Sequence, residues 1–206
     1  MVGAALGTKL IQIGHEVKMG SRSASNEKAV DWARKNGSRA SYGTFADAAA
    51  FGELVFNCTA GTVSLAALSS AGSSNLKGKV LVDVANPLDF SKGMPPTLSV
   101  CNSDSLGEQI QRALPKVKVV KAFNTMNCKV MVEPSIVPGE HDVFVCGNDV
   151  QAKAKVVEII RSFGWKSIID LGDITAARGT EMILPIWLRL FGLYQNRPFN
   201  FRIARS

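Results

Sequence analysis

The chain has 206 residues, 46% of them hydrophobic, and 24 lysines and arginines against 17 aspartates and glutamates give it a formal net charge of +7. This length predicts one domain, or one domain with a small appendage, and the basic balance favours anionic partners such as phosphorylated ligands. The sequence has neither an uncharged run of about 18 apolar residues nor a secretory pattern at its N-terminus, so we predict a cytoplasmic protein and no membrane partner.

Helical and strand-like segments alternate along the chain. The predicted helices, in chain order, are 3–13, 26–36, 44–50, 63–71, 105–114, 150–163 and 176–194. The predicted strands are 16–19, 39–41, 54–58, 80–84, 117–123, 142–146 and 167–171, and the stretch 88–101 is predicted to be a loop. This alternation predicts an α/β fold with a doubly wound, mostly parallel sheet that carries helices on both faces and ends in a C-terminal helix.

Neither the cysteines nor the histidines form a cluster with the spacing of a metal site. The four cysteines (Cys58, Cys101, Cys128 and Cys146) include no close pair, which indicates reduced core residues rather than disulfides or zinc ligands. The two histidines, His15 and His141, are predicted to lie at the surface. No metal and no catalytic Ser/His/Asp or Cys/His arrangement is therefore predicted, and the catalytic residues stay unassigned.

Small or polar residues follow several of the predicted strands. In a doubly wound sheet, ligands bind outside the carboxyl ends of the strands, so these residues outline the mouth of a site. After the strand 16–19 come Ser21 and Arg22, where a fold that binds NAD usually has an acidic residue. A forked, permanently charged arginine favours a 2′-phosphate at that position, and Lys28 on the next helix is a candidate to assist it. The alternative is a solvated loop arginine.

Two segments at the ends of the chain have more than one interpretation. Gly3 is either the third glycine of a dinucleotide-binding fingerprint or a frayed terminal residue. The apolar stretch 182–191 is typical of core packing, of a dimer interface or of a pocket wall. We expect the helix 176–194 to pack between the sheet and a second subunit, forming a homodimer, with Glu181 and Arg189 on its polar side.

Three motifs together with Arg22 resemble a known family. They are Asp83-Val84-Ala85-Asn86-Pro87, Lys121-Ala122-Phe123-Asn124-Thr125 and Ala177-Arg178-Gly179-Thr180-Glu181. In this order they resemble the NADPH-dependent oxidoreductases related to coenzyme F420:NADP oxidoreductase. They are also similar to the cytoplasmic domain of the six-transmembrane epithelial metalloreductases and, more distantly, to the N-terminal domain of pyrroline-5-carboxylate reductase.

The resemblance implies a Rossmann-type fold that binds NADP(H) and passes a hydride to a flavin, a deazaflavin or another small acceptor. It implies an NADP-binding domain over 1–173 and a C-terminal helical segment over 174–206 packed on it. Ser21 and Arg22 would hold the 2′-phosphate, and Gly3 would belong to the glycine fingerprint. Of the remaining residues, Thr59 and Ala60 would line the cofactor, and Asn86, Pro87, Ala122 and Asn124 would lie near its nicotinamide end.

The first strand and the first two glycines of the family pattern have no counterpart before Gly3. We therefore expect a gap or splayed strands in the sheet, with Gly3 at the N-terminus of the first helix. Either the start of the chain is misassigned, or the chain is short and binds NADPH weakly. A nucleotide-binding module without turnover is the alternative function. Nucleic-acid binding is not predicted, because the basic residues are scattered.

Overall fold

The computed structural model describes residues 1–205 as α-helices packed around sheets. Its strands are β1 (Val17–Ser21), β2 (Ala40–Thr44), β3 (Leu54–Asn57), β4 (Val80–Asp83), β5 (Leu88–Asp89), β6 (Thr97–Leu98), β7 (Lys118–Ala122), β8 (Asp142–Gly147) and β9 (Ser167–Asp170). Its helices are α1 (Val2–Gln12), α2 (Glu27–Asn36), α3 (Phe45–Phe51), α4 (Gly61–Ala71), α5 (Ser73–Leu76), α6 (Leu106–Ala113), α7 (Cys128–Val132), α8 (Val150–Ser162), α9 (Ala177–Met182) and α10 (Leu184–Leu193).

The main sheet has five strands in the order β3-β4-β7-β8-β9. Strands β3, β4 and β7 are parallel to one another, β8 is antiparallel to β7, and β9 is parallel to β8. Alternate residues of the central strands face opposite sides. On β4, Val80 and Val82 pack towards α1 and α8, whereas Leu81 packs towards α4 and α6. The predicted doubly wound, mostly parallel fold is confirmed.

The sheet is interrupted between β1 and β3. Within residues 1–205, strand β1 pairs only with β2 and β3 pairs only with β4, so no described strand lies between the two edges that face each other. A cleft of about 810 Å³ separates them and is lined by apolar side chains that include Met19, Trp32 and Phe56. The expected gap is confirmed, and so is the position of Gly3 in the first turn of α1.

Three expectations about elements need correction. The single helix 176–194 is wrong, because α9 and α10 are separate helices with a break at Ile183, where the following Pro185 has no N–H to donate to Glu181. The loop 88–101 contains the short antiparallel hairpin β5–β6. Helix α7, with Asn127 as its N-cap, was not predicted.

Three side chains also lie elsewhere than predicted. Glu181 is buried beside Lys121 rather than on a polar helix face, while Arg189 is exposed as expected. His141 is buried, because its ring nitrogens contact Pro134 O and Asn200 Nδ2 and its ring packs edge-on against Trp165. All four cysteines are free as expected, but Cys101 is exposed and is not a core residue.

Candidate functional site

The carboxyl ends of β3, β4 and β7 meet at one edge of the main sheet. Asn86 follows β4, and Asn124 follows β7. Their side chains bridge the two loops, because Asn86 Nδ2 donates to Asn124 O at 2.7 Å and Asn124 Nδ2 donates to Asn86 Oδ1 at 2.9 Å. Asn124 Nδ2 also donates to Thr180 O on α9 at 2.9 Å. The structure thus brings these two predicted site residues together.

Two helices begin at the same edge. Thr59 and Ala60 connect β3 to α4, and no side chain caps the first turn of that helix. Helix α1 begins beside the end of β3, since a Cβ placed on Gly3 would lie 3.4 Å from Cys58 Cβ. The backbone N–H groups at a helix N-terminus favour anions, so the two helix starts suit a diphosphate.

Arg22 lines a separate cavity of about 280 Å³ with Ser21, Thr44, Phe45 and Ser70. Its side chain is exposed, and no acidic side chain within residues 1–205 forms an ion pair with it. An unpaired guanidinium beside three hydroxyl-bearing residues is a donor set that fits a phosphate. Lys28 is exposed near the start of α2, but it lines the large cleft and not this cavity.

Three of the predicted residues have almost no surface for a ligand. Ala122 is fully buried in the core, Asn124 is 3% exposed, and Pro87 is also buried. The mouth is the edge where β3, β4 and β7 end and α1 and α4 begin. These three residues lie below its surface, whereas Thr59 and Asn86 are only partly buried and Ala60 is exposed. The predicted contacts of Ala122, Pro87 and Asn124 with a cofactor stay predictions.

A buried ion cluster below the mouth was not predicted. Lys121 Nζ lies 2.7 Å from Asp83 Oδ2 and 2.7 Å from Glu181 Oε1, and all three side chains are at most 1% exposed. Glu181 also accepts from the backbone N–H groups of Leu106 and Gly107 at 2.8 and 3.0 Å. The signal in the sequence was Lys121 between Val120 and Ala122 in the buried part of a strand, since a buried charge requires a partner.

The cluster keeps its lysine charged. Burial by itself lowers the pKa of Lys121, but the carboxylates of Asp83 and Glu181 outweigh that effect and raise its pKa above the ordinary value. Nearby, burial raises the pKa of the Cys58 thiol to about 12, so this cysteine lines the mouth as an uncharged thiol. Within residues 1–205, no group of three His, Cys, Asp or Glu residues is placed to hold a metal ion.

The fold and this mouth define a protein of the Rossmann type. The structure of a protein from Arthrobacter sp. FB24, assigned as an F420-dependent NADP-reductase, superposes with a TM-score of 0.94 at 51% identity over 99% of this chain and 95% of that one. The chain belongs to the F420-dependent NADP oxidoreductase family. Residues 1–87 also match the family described as NADP oxidoreductase, coenzyme F420-dependent.

Two curated relatives match over shorter stretches. The F420-dependent NADP reductase of Methanocaldococcus jannaschii is 33% identical over 130 residues, which are 63% of this chain and 58% of the relative. The metalloreductase STEAP3 of Rattus norvegicus is 31% identical over 119 residues, which are 56% of this chain and 22% of the relative. The chain thus matches little more than half of the first relative and about a fifth of the second. None of the helices within residues 1–205 is long and apolar enough to cross a membrane.

Proposed function

We propose that the protein is an NADP(H)-dependent oxidoreductase that transfers a hydride between NADPH and a flavin, a deazaflavin or another small redox acceptor. The observation that carries the proposal is the unpaired Arg22 in its cavity with Ser21 and Thr44. Membership of a family named for coenzyme F420 and NADP supports the same reaction.

The arrangement suggests a role for the Arg22 cavity and for each part of the mouth. Ser21 and Arg22 bind the 2′-phosphate, and the N-terminal N–H groups of α1 and α4 bind the diphosphate. Thr59 and Ala60 line the cofactor, and Asn86 lies at the nicotinamide end. The bound cofactor supplies the hydride, while the chain orients it and shields one face with the floor formed by Pro87, Ala122 and Asn124.

The choice of cofactor tests the proposal at Arg22. A charge-assisted contact contributes about 1.5–3 kcal/mol, so the unmodified protein should prefer NADPH to NADH by about 10- to 150-fold. The Arg22→Ala variant should lose most of that preference, because NADH never makes the contact. The matched control is Arg34→Ala, which removes an exposed arginine that is paired with Asp31 on α2.

Binding constants measured by fluorescence titration decide the outcome. If the unmodified protein binds the two cofactors equally, the role of Arg22 is wrong. Stopped-flow oxidation of NADPH with a flavin and with a deazaflavin then tests turnover. Tight binding without oxidation of NADPH by any acceptor would instead support the nucleotide-binding module.

We also propose a cytoplasmic homodimer. The four free cysteines fit a reducing compartment. Helix α10 leaves apolar side chains in solvent, with Ile186 54% and Leu193 71% exposed, and a second copy of the chain would cover them. Light scattering at micromolar concentration should give the mass of a dimer, and the mass of a monomer would contradict this proposal.

A further inference from the structure

A series of buried polar side chains, each in contact with the next, connects α9 with the loop after β3. It runs from Glu181 through Lys121 to Asp83, and Asp83 Oδ1 then accepts from Asn57 Nδ2 at 2.8 Å. These four side chains are at most 3% exposed. Because these side chains are shielded from water, each polar group is held by the side chains that it contacts. A displacement of one group therefore displaces the next.

One end of this series, Asn57, and its middle member, Lys121, reach the loops of the proposed cofactor mouth. Asn57 Oδ1 accepts from Thr59 Oγ1 at 2.7 Å, which fixes the hydroxyl of Thr59. Lys121 also donates to the carbonyl of Ala85, the residue before Asn86. One ammonium group therefore ties down the loop after β3, through Asp83 and Asn57, and the loop after β4 directly.

Ser64 closes the network beneath Thr59. Its hydroxyl accepts from Asn57 Nδ2 at 3.1 Å, lies 2.9 Å from Thr59 Oγ1, and donates to Ala60 O at 3.2 Å. The side chain of Ser64 is fully buried, so it does not touch a ligand in the mouth. Any effect of Ser64 on a bound cofactor must pass through its neighbours.

We propose that Lys121 is a positioning residue that sets Thr59 for the cofactor through Asp83, Asn57 and Ser64, with Glu181 as its second counter-ion. This inference rests on the proposed function, since it takes NADPH as the ligand of the mouth. Lys121 does not touch the cofactor, and its effect on binding depends on Thr59.

A double-mutant cycle on NADPH binding tests the inference. The variants are Lys121→Met, Thr59→Ala and the two together, each measured for its NADPH dissociation constant and its melting temperature. Misplacing Thr59 forfeits at most about one hydrogen bond to the cofactor, so Lys121→Met should weaken NADPH binding by about two- to tenfold. In the Thr59→Ala background, the same change should weaken binding much less, because the group that it positions is already gone.

The matched control is Lys153→Met, which removes a nearly buried lysine that donates to Asp170 and Gly172 O at the far end of the sheet. It should lower the melting temperature and leave NADPH affinity unchanged. Since Lys121→Met leaves two carboxylates buried without a cation, it is at risk of not folding. In that case Ser64→Ala replaces it in the cycle. This variant should lose less NADPH affinity than Lys121→Met, and the loss should again disappear in the Thr59→Ala background.

The outcomes separate the two proposals. An unmodified protein that does not bind NADPH overturns the proposed function and this inference with it. An unmodified protein that binds NADPH, combined with a folded Lys121→Met or Ser64→Ala variant of unchanged affinity, overturns the inference alone. Additive losses with Thr59→Ala also overturn it, because they would make the network only structural.

Discussion

Gly61 shows how closely two loops of the mouth approach each other. A Cβ at this position would lie 2.0 Å from Asn86 O and 2.9 Å from Pro87 Cα, both of which are backbone atoms. Neither atom can move without shifting the loop after β4. The glycine is therefore required by the approach of backbone to backbone at the start of α4, and not by an unusual dihedral angle.

Replacing Gly61 with alanine should consequently disturb both stability and the mouth. We expect Gly61→Ala to lower the free energy of unfolding by about 1–3 kcal/mol, as overpacking does, and to weaken NADPH binding as Asn86 moves. The control is Gly179→Ala in α9, where a Cβ meets nothing within 4 Å. That variant should be unchanged or more stable by about 0.5–1 kcal/mol. Urea denaturation measures the free energy of unfolding of both variants, and equal values would contradict the packing argument.

At the scale of elements, an ion pair fastens α9 to α6. Arg178 Nε donates to Glu108 Oε2 at 2.8 Å, and the Ser105 hydroxyl donates to the same carboxylate at 2.7 Å. The hydrogen bond from Arg178 is the main cause that lowers the pKa of Glu108, and it acts against burial, which raises the pKa. This contact holds α9, and with it Glu181, against the start of α6.

The lowered pKa predicts a loss of stability in acid. A carboxyl group whose pKa is lower in the folded state stabilises the fold above its unfolded pKa, about 4.3 for glutamate, and that contribution disappears as the pH falls through the folded pKa. The free energy of unfolding should therefore fall below about pH 4.3, and it should fall less steeply in Glu108→Gln. Urea titrations at several pH values measure the slopes, with Glu158→Gln on α8 as the control. Parallel slopes for all three proteins would contradict this role of Glu108.

At the scale of the whole molecule, the cleft between β1 and β3 is the main departure from a continuous sheet. Both of its edges carry backbone groups with no strand to pair them, and its walls are apolar. Backbone groups at such edges reduce stability wherever water does not replace the missing strand. The start of α1 lies at this cleft, since Met1 and Gly3 line it.

A strand added at this position should pair with the free edges of β1 and β3. We expect that fusing an apolar strand of about five residues and a Gly-x-Gly turn ahead of Met1 raises both the melting temperature and the affinity for NADPH. The control is a fusion of equal length made of glycine and serine, which cannot fill the apolar walls. Calorimetry and titration compare the two fusions with the unextended chain, and identical values for all three would mean that the cleft does not accept a strand.

The sequence alone determined the features that depend on neighbouring residues. The capping box of Thr44 and Asp47 starts α3 where it was expected, and the valine-rich run 80–84 forms the central strand β4. Such signals are local, because a helix cap and a buried strand are specified within a few residues. The alternation of these elements was sufficient for the fold class.

Only the tertiary structure decided which distant groups meet. Glu181 was expected on a polar helix face, yet it turns inward because Lys121 and the N–H groups at the start of α6 are there to receive its charge. His141 is buried because Asn200 from the C-terminal tail and Trp165 enclose it. No local pattern encodes these partners, since burying a charge or an imidazole becomes favourable only after separate segments have packed together.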